Sequence, residues 1–128
     1  MKKETSRFNA LEDRLIEFAV SCIIISGRIR DNYTGRHLMS QLIRSGSSSA
    51  LNYAEARYAE SKRDFIHKVK IVLKELHETH VCLKIIERTN SYTGKDSLES
   101  TGKECNELIS IFVRSINTAQ KNLTEDKP

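Results

Sequence analysis

Apolar residues return every three or four positions in four separate stretches of this chain, the spacing of helices that each bury one face. The first stretch reads Phe8, Leu11, Leu15, Phe18, Cys22, Ile25 and Ile29, and Asn9 with Glu12 three residues on opens it in the manner of a capping box. A second apolar set in the same stretch, Ile16, Val20, Ile23 and Ile24, makes the stripe wider than one pair of neighbouring helices can cover. Asp31 to Gly35 supplies a turn. The second stretch carries Leu38, Met39, Leu42, Ile43, Ala50, Tyr53 and Ala56, with a run of small residues from Ser45 to Ser49 that lowers its own helix propensity and lets a neighbouring backbone come close. The third is opened by Ser61 as a cap with Asp64 in its first turn. Its seam of Phe65, Val69, Val72, Leu76, Thr79, Leu83 and Ile86 repeats about every 3.5 residues, the period of left-handed helix packing. After a polar loop from Asn90 to Ser97, the last stretch carries Cys105, Ile109, Phe112, Ile116, Ala119 and Leu123 before a polar tail. These signals predict helices at about 7–31, 36–59, 61–90 and 97–123. Short connections between them give an all-α, left-handed, antiparallel up-down-up-down four-helix bundle, with residues 1–128 as one domain.

Composition adds constraints. The single proline is Pro128 and the five glycines are scattered, so nothing inside the chain breaks long helices. Cys22, Cys82 and Cys105 fall on three different predicted helices without a Cys-x-x-Cys pair, and read as reduced core residues rather than a disulfide frame or zinc site. The basic start at Met1 to Lys3 runs into the polar segment Glu4 to Asp13, and the longest apolar run, around Ala19 to Ile25, is too short for a bilayer. A cytoplasmic protein with no membrane partner is expected. Aromatic content is 6% with no tryptophan, which leaves few stacking platforms for single strands. A net charge of +4 suits a phosphate-rich partner, RNA or DNA.

Three groups of polar residues are candidates for more than solubility. Gln41, Ser45, Ser48, Asn52 and Glu55 repeat at heptad-like spacing beside the apolar stripe of the second helix, either as a hydrogen-bonded network that fixes helix register or as a ligand site. Arg44 matches Glu75 or Glu78 of the third helix, since a guanidinium fork fits a carboxylate bidentately. His77 and His80 share a helix face, but the Glu-x-x-His pair that di-iron bundles need is lacking, so no metal or other cofactor is expected. The third group is a basic stripe, Arg63, His67, Lys70 and Lys74, facing outward together over about 16 Å of helix. From Arg57 to Lys74 six Lys or Arg oppose Glu60 and Asp64, a balance of +4. That stripe either binds phosphate backbone or is a solvated face whose lysines pair locally, Lys68 with Asp64 and Lys74 with Glu78. No phosphate loop and no catalytic order of Ser, His and Asp is present, so the reading is a protein without enzymatic activity.

The ordered set Gln41, Arg44, Ser45, Asn52, Glu55, Ser61, Asp64, Phe65, Lys68, Lys74, Glu75, Glu78, Thr79 and Leu83 resembles the bacterial four-helix bundle proteins of the 23S rRNA intervening-sequence type. The resemblance implies left-handed antiparallel bundles assembled as cyclic homopentamers, some encoded inside intervening sequences of 23S rRNA genes. It also implies kinship with the accessory proteins of diversity-generating retroelements, basic pentamers that partner a reverse transcriptase and its RNA. The chain departs from the pattern at Cys82, where resembling proteins commonly carry Trp, and at Lys103, Glu104 and Cys105, where the fourth helix offers no motif to align. The expectation is a ring-forming accessory or scaffold protein that binds phosphate backbone through its basic face. The alternative is a structural or protein-interaction homo-oligomer, including a reverse transcriptase accessory role, that touches no nucleic acid itself.

Overall fold

The computed structural model describes the backbone of residues 2–95 and 98–125 and the side chains of residues 6–95 and 98–124. The described residues form four helices, α1 (Lys2–Ser26), α2 (Tyr33–Ala56), α3 (Lys62–Arg88) and α4 (Leu98–Glu125). They make an all-α bundle: α2 packs on α1 and α3, α3 on α4, and α4 returns more lightly to α1. Among the described residues the one extended pairing is an isolated antiparallel bridge between Ile29 and Tyr92.

The four seams read from the sequence supply most of the core, with Ile43 an exception at 38% exposed, but several helix ends lie elsewhere than the pattern places them. Asn9 does not open α1, which is helical from Lys2; its side chain instead accepts a hydrogen bond from Arg57 at the end of α2. The same helix stops at Ser26 rather than near residue 31, because residues 28–30 find backbone partners across the bundle end. Arg30 N donates to Ser91 O and Thr93 N to Arg28 O, each at 2.8 Å. Asn32 then caps α2, its Oδ1 accepting from Gly35 N at 2.8 Å, so this helix begins about three residues earlier than expected. Its end comes earlier too, at Ala56. At the start of α3 the expected cap is present, with Ser61 Oγ accepting from Asp64 N at 3.0 Å. That helix closes on Asn90, whose φ of 56° takes the left-handed position usually given to glycine. Ser91 N bonds back to Ile86 O and Asn90 N to Glu87 O, the paired closure of a Schellman motif. The loop residues Asp96 and Ser97 and the tail residues Asp126 to Pro128 lie outside the described residues.

Leu15, Phe18, Leu42, Val69, Val72, Leu76, Ile86, Leu108 and Phe112 are buried at the centre. Aromatic contacts close one end: Phe8 stacks on Tyr53 with ring centres 4.3 Å apart, Phe112 meets Tyr53 edge-on at 5.4 Å, and the Arg57 guanidinium lies 4.4 Å over the Phe8 ring. The small-residue run on α2 lies inside, with Ser45, Gly46 and Ser49 buried, and Gly46 facing Cys22 of α1.

All three cysteines are buried and free. Burial, with the neighbouring Cys105 and Cys82 sulfurs secondary, pushes the Cys22 thiol up to about 12 from an ordinary 9.0. Burial likewise pushes Cys105 to about 12 and Cys82 to about 11, Arg44 opposing the last. Thiols whose pKa is raised by folding stabilise the protein fully below the unfolded value, and that contribution is lost as pH rises toward the folded one. The folded state should therefore lose stability between about pH 9 and pH 11–12. Denaturant midpoints measured from pH 8 to 11 are expected to fall more steeply for this chain than for a Cys22→Ala, Cys82→Ala, Cys105→Ala variant; parallel slopes would contradict it.

Candidate nucleic-acid interface

The outer face of α3 changes character along its length. Its first half presents Arg63, His67, Lys70 and Lys74, all exposed, and no acidic side chain among the described residues pairs with them. The local pairs that would have neutralised this face are not formed. Lys68 lies 3.9 Å from Glu55 instead of meeting Asp64, Asp64 accepts from Glu60 N at 3.2 Å, and Glu78 is taken by Arg44. The stripe is held by α3's own burial, since Ile66, Val69, Val72 and Leu76 on the opposite side fix the helix in the core.

Farther along α3, the same face borders a groove of about 550 Å³ between α2 and α3. Arg44 crosses its wall, bonding Glu75 Oε2 through Nη1 at 3.1 Å and Glu78 through Nη2, while its Nε donates to Gln41 Oε1 at 3.3 Å. The hydrogen bond to Glu78, then the charge of Glu75, holds the guanidinium above its ordinary value, so it is cationic at every working pH. Leu38, Val81, Cys82 and Ile85 give the groove its apolar part, and His37 and His77 stand at its rim. The Cys82 thiol donates to Leu38 O at 3.6 Å.

The polar seam expected on α2 is divided into separate contacts rather than one network. Gln41, Arg44, Glu75 and Glu78 form the groove cluster. Ser45 is buried against Thr79, whose Oγ1 lies 2.8 Å from both Ser45 Oγ and Glu75 O and shares its proton between them. Asn52 turns back on its own helix, Nδ2 donating to Ser48 O at 2.8 Å. Glu55 is exposed toward Lys68. Every fully buried side-chain oxygen or nitrogen among the described residues has a partner, as the energetic penalty for orphaned groups demands.

Two features escaped sequence reading. Glu104, in the stretch without a motif, accepts both Nε and Nη2 of Arg14 at 2.8 and 2.7 Å and ties α4 to α1, with Glu107 joining at 2.5 Å. His37, Val81 and Ile85 come to the groove only through the apposition of two helices. Burial, then the charges of Lys84 and His77, holds His80 below the ordinary imidazole value. No cluster of three or more His, Cys, Asp or Glu among the described residues is placed to hold a metal ion. No described helix is long and apolar enough to cross a membrane.

Thr79→Val should leave Ser45 Oγ buried without its partner and cost about 1–3 kcal/mol, whereas adding Ser45→Ala should recover part of that deficit. A double-mutant cycle by urea denaturation checks this; strictly additive destabilisation would contradict it.

The sequence model described as the 23S rRNA-intervening sequence protein matches residues 12–125. Similar in structure is a crystal structure of a protein with unknown function from the S23 ribosomal protein family of Bacteroides thetaiotaomicron. It is 31% identical over 86% of this chain and 97% of that one, with a TM-score of 0.76. Comparison with curated proteins gives no match.

Proposed function

This chain belongs to the 23S rRNA-intervening sequence protein family, and from that footing we propose that it is a non-enzymatic, nucleic-acid-associated accessory or scaffold protein. It binds phosphate backbone, RNA or DNA, through the outer face of α3. The observation that carries this reading is the row Arg63, His67, Lys70 and Lys74, exposed and without acidic partners among the described residues. Three unpaired cations, Arg63, Lys70 and Lys74, over about 16 Å match a run of several phosphates, and a surface built from one helix reads charge rather than base edges. Neither the family nor the similar structure points to catalysis.

The protein acts as a homo-oligomeric ring, with five subunits the number its family resemblance favours. Support comes from two unlike apolar flanks. On α1, Ile16, Val20, Ile23 and Ile24 are 45%, 43%, 49% and 50% exposed, and Ile43, three residues from Gly46, continues that flank on α2. On the other side of α2 lies the groove with Val81 and Ile85. A contact between unlike faces is heterologous and closes into a ring when its rotation allows. The same flanks favour a second reading, a protein-interaction ring, including a reverse transcriptase accessory, that needs no nucleic acid.

Light scattering at micromolar concentration should give a multiple of the 14.7 kDa chain mass, and Val81→Asp should lower it; a monomer for the unaltered protein would end the ring. For binding, an Arg63→Glu, Lys70→Glu, Lys74→Glu variant should show a shallower slope of log affinity against log salt, by about 0.7 to 0.9 for each phosphate that the wild-type side chains neutralise. Because a ring repeats the stripe, these reductions add through multivalency. Unchanged duplex affinity in the folded triple variant would favour the protein-only ring.

A further inference from the structure

A second group of cations lies where the α1–α2 and α3–α4 connections meet. Arg28, Arg30, Arg36, Lys84, Arg88 and Lys95 stand against only Asp31 and Glu87 in residues 28–37 and 84–95, and Asp31 is already engaged by Arg36 at 2.9 Å. These residues are not held on loose loops. The two connections are joined by the backbone bonds of Arg30 to Ser91 and Thr93 to Arg28, by Thr93 Oγ1 donating to Arg28 O at 2.7 Å, and by Arg30 Nε donating to Asn90 O at 2.9 Å. The first connection also lies directly on the opening turn of α2: a β-carbon at Gly35 would sit 1.8 Å from Arg30 O. On that turn the Tyr33 ring is 85% exposed and stacks on no other ring among the described residues. Arg88, on the last turn of α3, is exposed and likewise has no ion-pair partner among them.

We propose that this end of the bundle is a binding site for single-stranded nucleic acid, in which Tyr33 stacks on an unpaired base while Arg30 and Arg88 hold neighbouring phosphates. A bare aromatic ring among cations suits a strand whose base faces are open, since every base offers a face to stack and every linkage a negative charge. A duplex hides those faces, so this site differs in ligand from the α3 stripe. Beside Tyr33 in the chain, Thr34 and Arg36 are polar and exposed, and the apolar groove begins one turn farther along α2 at His37. Rigid mutual anchoring of the two connections means that binding demands little further ordering.

The test uses the full chain with a fluorescein-labelled oligouridylate and a duplex of equal length at one fixed salt concentration. Tyr33→Ala should weaken oligouridylate binding by about 5- to 150-fold, the range for removal of one base–aromatic stack. Duplex affinity should stay within about twofold, and Tyr33→Phe should restore the single-strand affinity. Since the ring is exposed, melting curves of both variants should overlay that of the unaltered protein. Arg88→Glu should lower the salt slope for the oligouridylate. Single-strand affinity unchanged by Tyr33→Ala, or an equal weakening on both ligands, would overturn the site. Failure of the α3 reading is separable, because it would show as duplex binding untouched by the triple glutamate variant while the dependence on Tyr33 persists.

Discussion

The spacing between α1 and α2 is set at Gly46, where a β-carbon would meet Cys22 Cβ at 2.9 Å and Cys22 Sγ at 3.0 Å. Both obstacles belong to a buried helix wall, so any larger residue there forces the two helices apart or Cys22 out of place. The cost of that close fit falls on α2 itself. Glycine and the serines around it make a poor isolated helix, and burial of Leu38, Leu42, Tyr53 and Ala56 between its neighbours must hold it in place. Ser45 and Ser49 pass through the same buried zone because each finds a partner, Thr79 in one case and Gly46 O in the other. The second stripe of α1, with Ile16, Val20 and Ile23 exposed, lies on the side of that helix away from the buried Leu15, Phe18, Cys22 and Ile25.

How much of this was legible before the structure depended on how local each signal is. The seam of α3 was readable because a period of about 3.5 over seven positions is written into one segment, and six of its seven residues are buried, Phe65 being half-buried. The Ser61 cap was readable for the same reason. Asn9 misled because an asparagine with Glu three residues on is equally good as a surface acceptor, and Arg57, forty-eight residues away, claims it. The end of α1 was hidden because residues 28–30 complete their backbone bonds with residues 91–93, a pairing no local pattern announces. Of the candidate site, the four basic positions and the Arg44 pairing were visible as helix-face arithmetic. The division of the polar seam was not, since Asn52 and Glu55 share its spacing but not its depth. The groove needs two helices to exist at all.

Charge in this chain is sorted more than it is balanced. Glu75, Glu78, Glu104 and Glu107 are engaged across helix pairs by Arg44, which bridges two carboxylates, and by Arg14, which is bidentate on Glu104, geometries that a guanidinium fork makes and a lysine does not. These pairs sit at partly exposed positions, so each adds little to stability and more to register. Their consequence is electrostatic. Residues 57–74 carry a positive balance of +4, and residues 28–37 and 84–95 taken together another +4, against a whole-chain value of +4. The remainder of the chain is therefore net acidic.

Separation along α3 decides whether two such regions act as one. Arg63 and Arg88 are twenty-five residues apart on a continuous helix, or about 37 Å at 1.5 Å per residue. The far ends are several Debye lengths apart at physiological salt, but the near edges, Lys74 and Lys84, are ten residues or about 15 Å apart, under two Debye lengths, so the two potentials overlap weakly between them. A mononucleotide or free phosphate is too short to reach from one end of this face to the other. On the proposed reading, a polymer long enough to span that distance could lay a duplex part along the α3 stripe and a single-stranded part at the connections. Contacts joined in one molecule gain from effective concentration, so under that proposal the arrangement would favour long polyanions over short ones even where each contact is weak. On that reading, length and strandedness are what such a surface, without base-reading chemistry, would select.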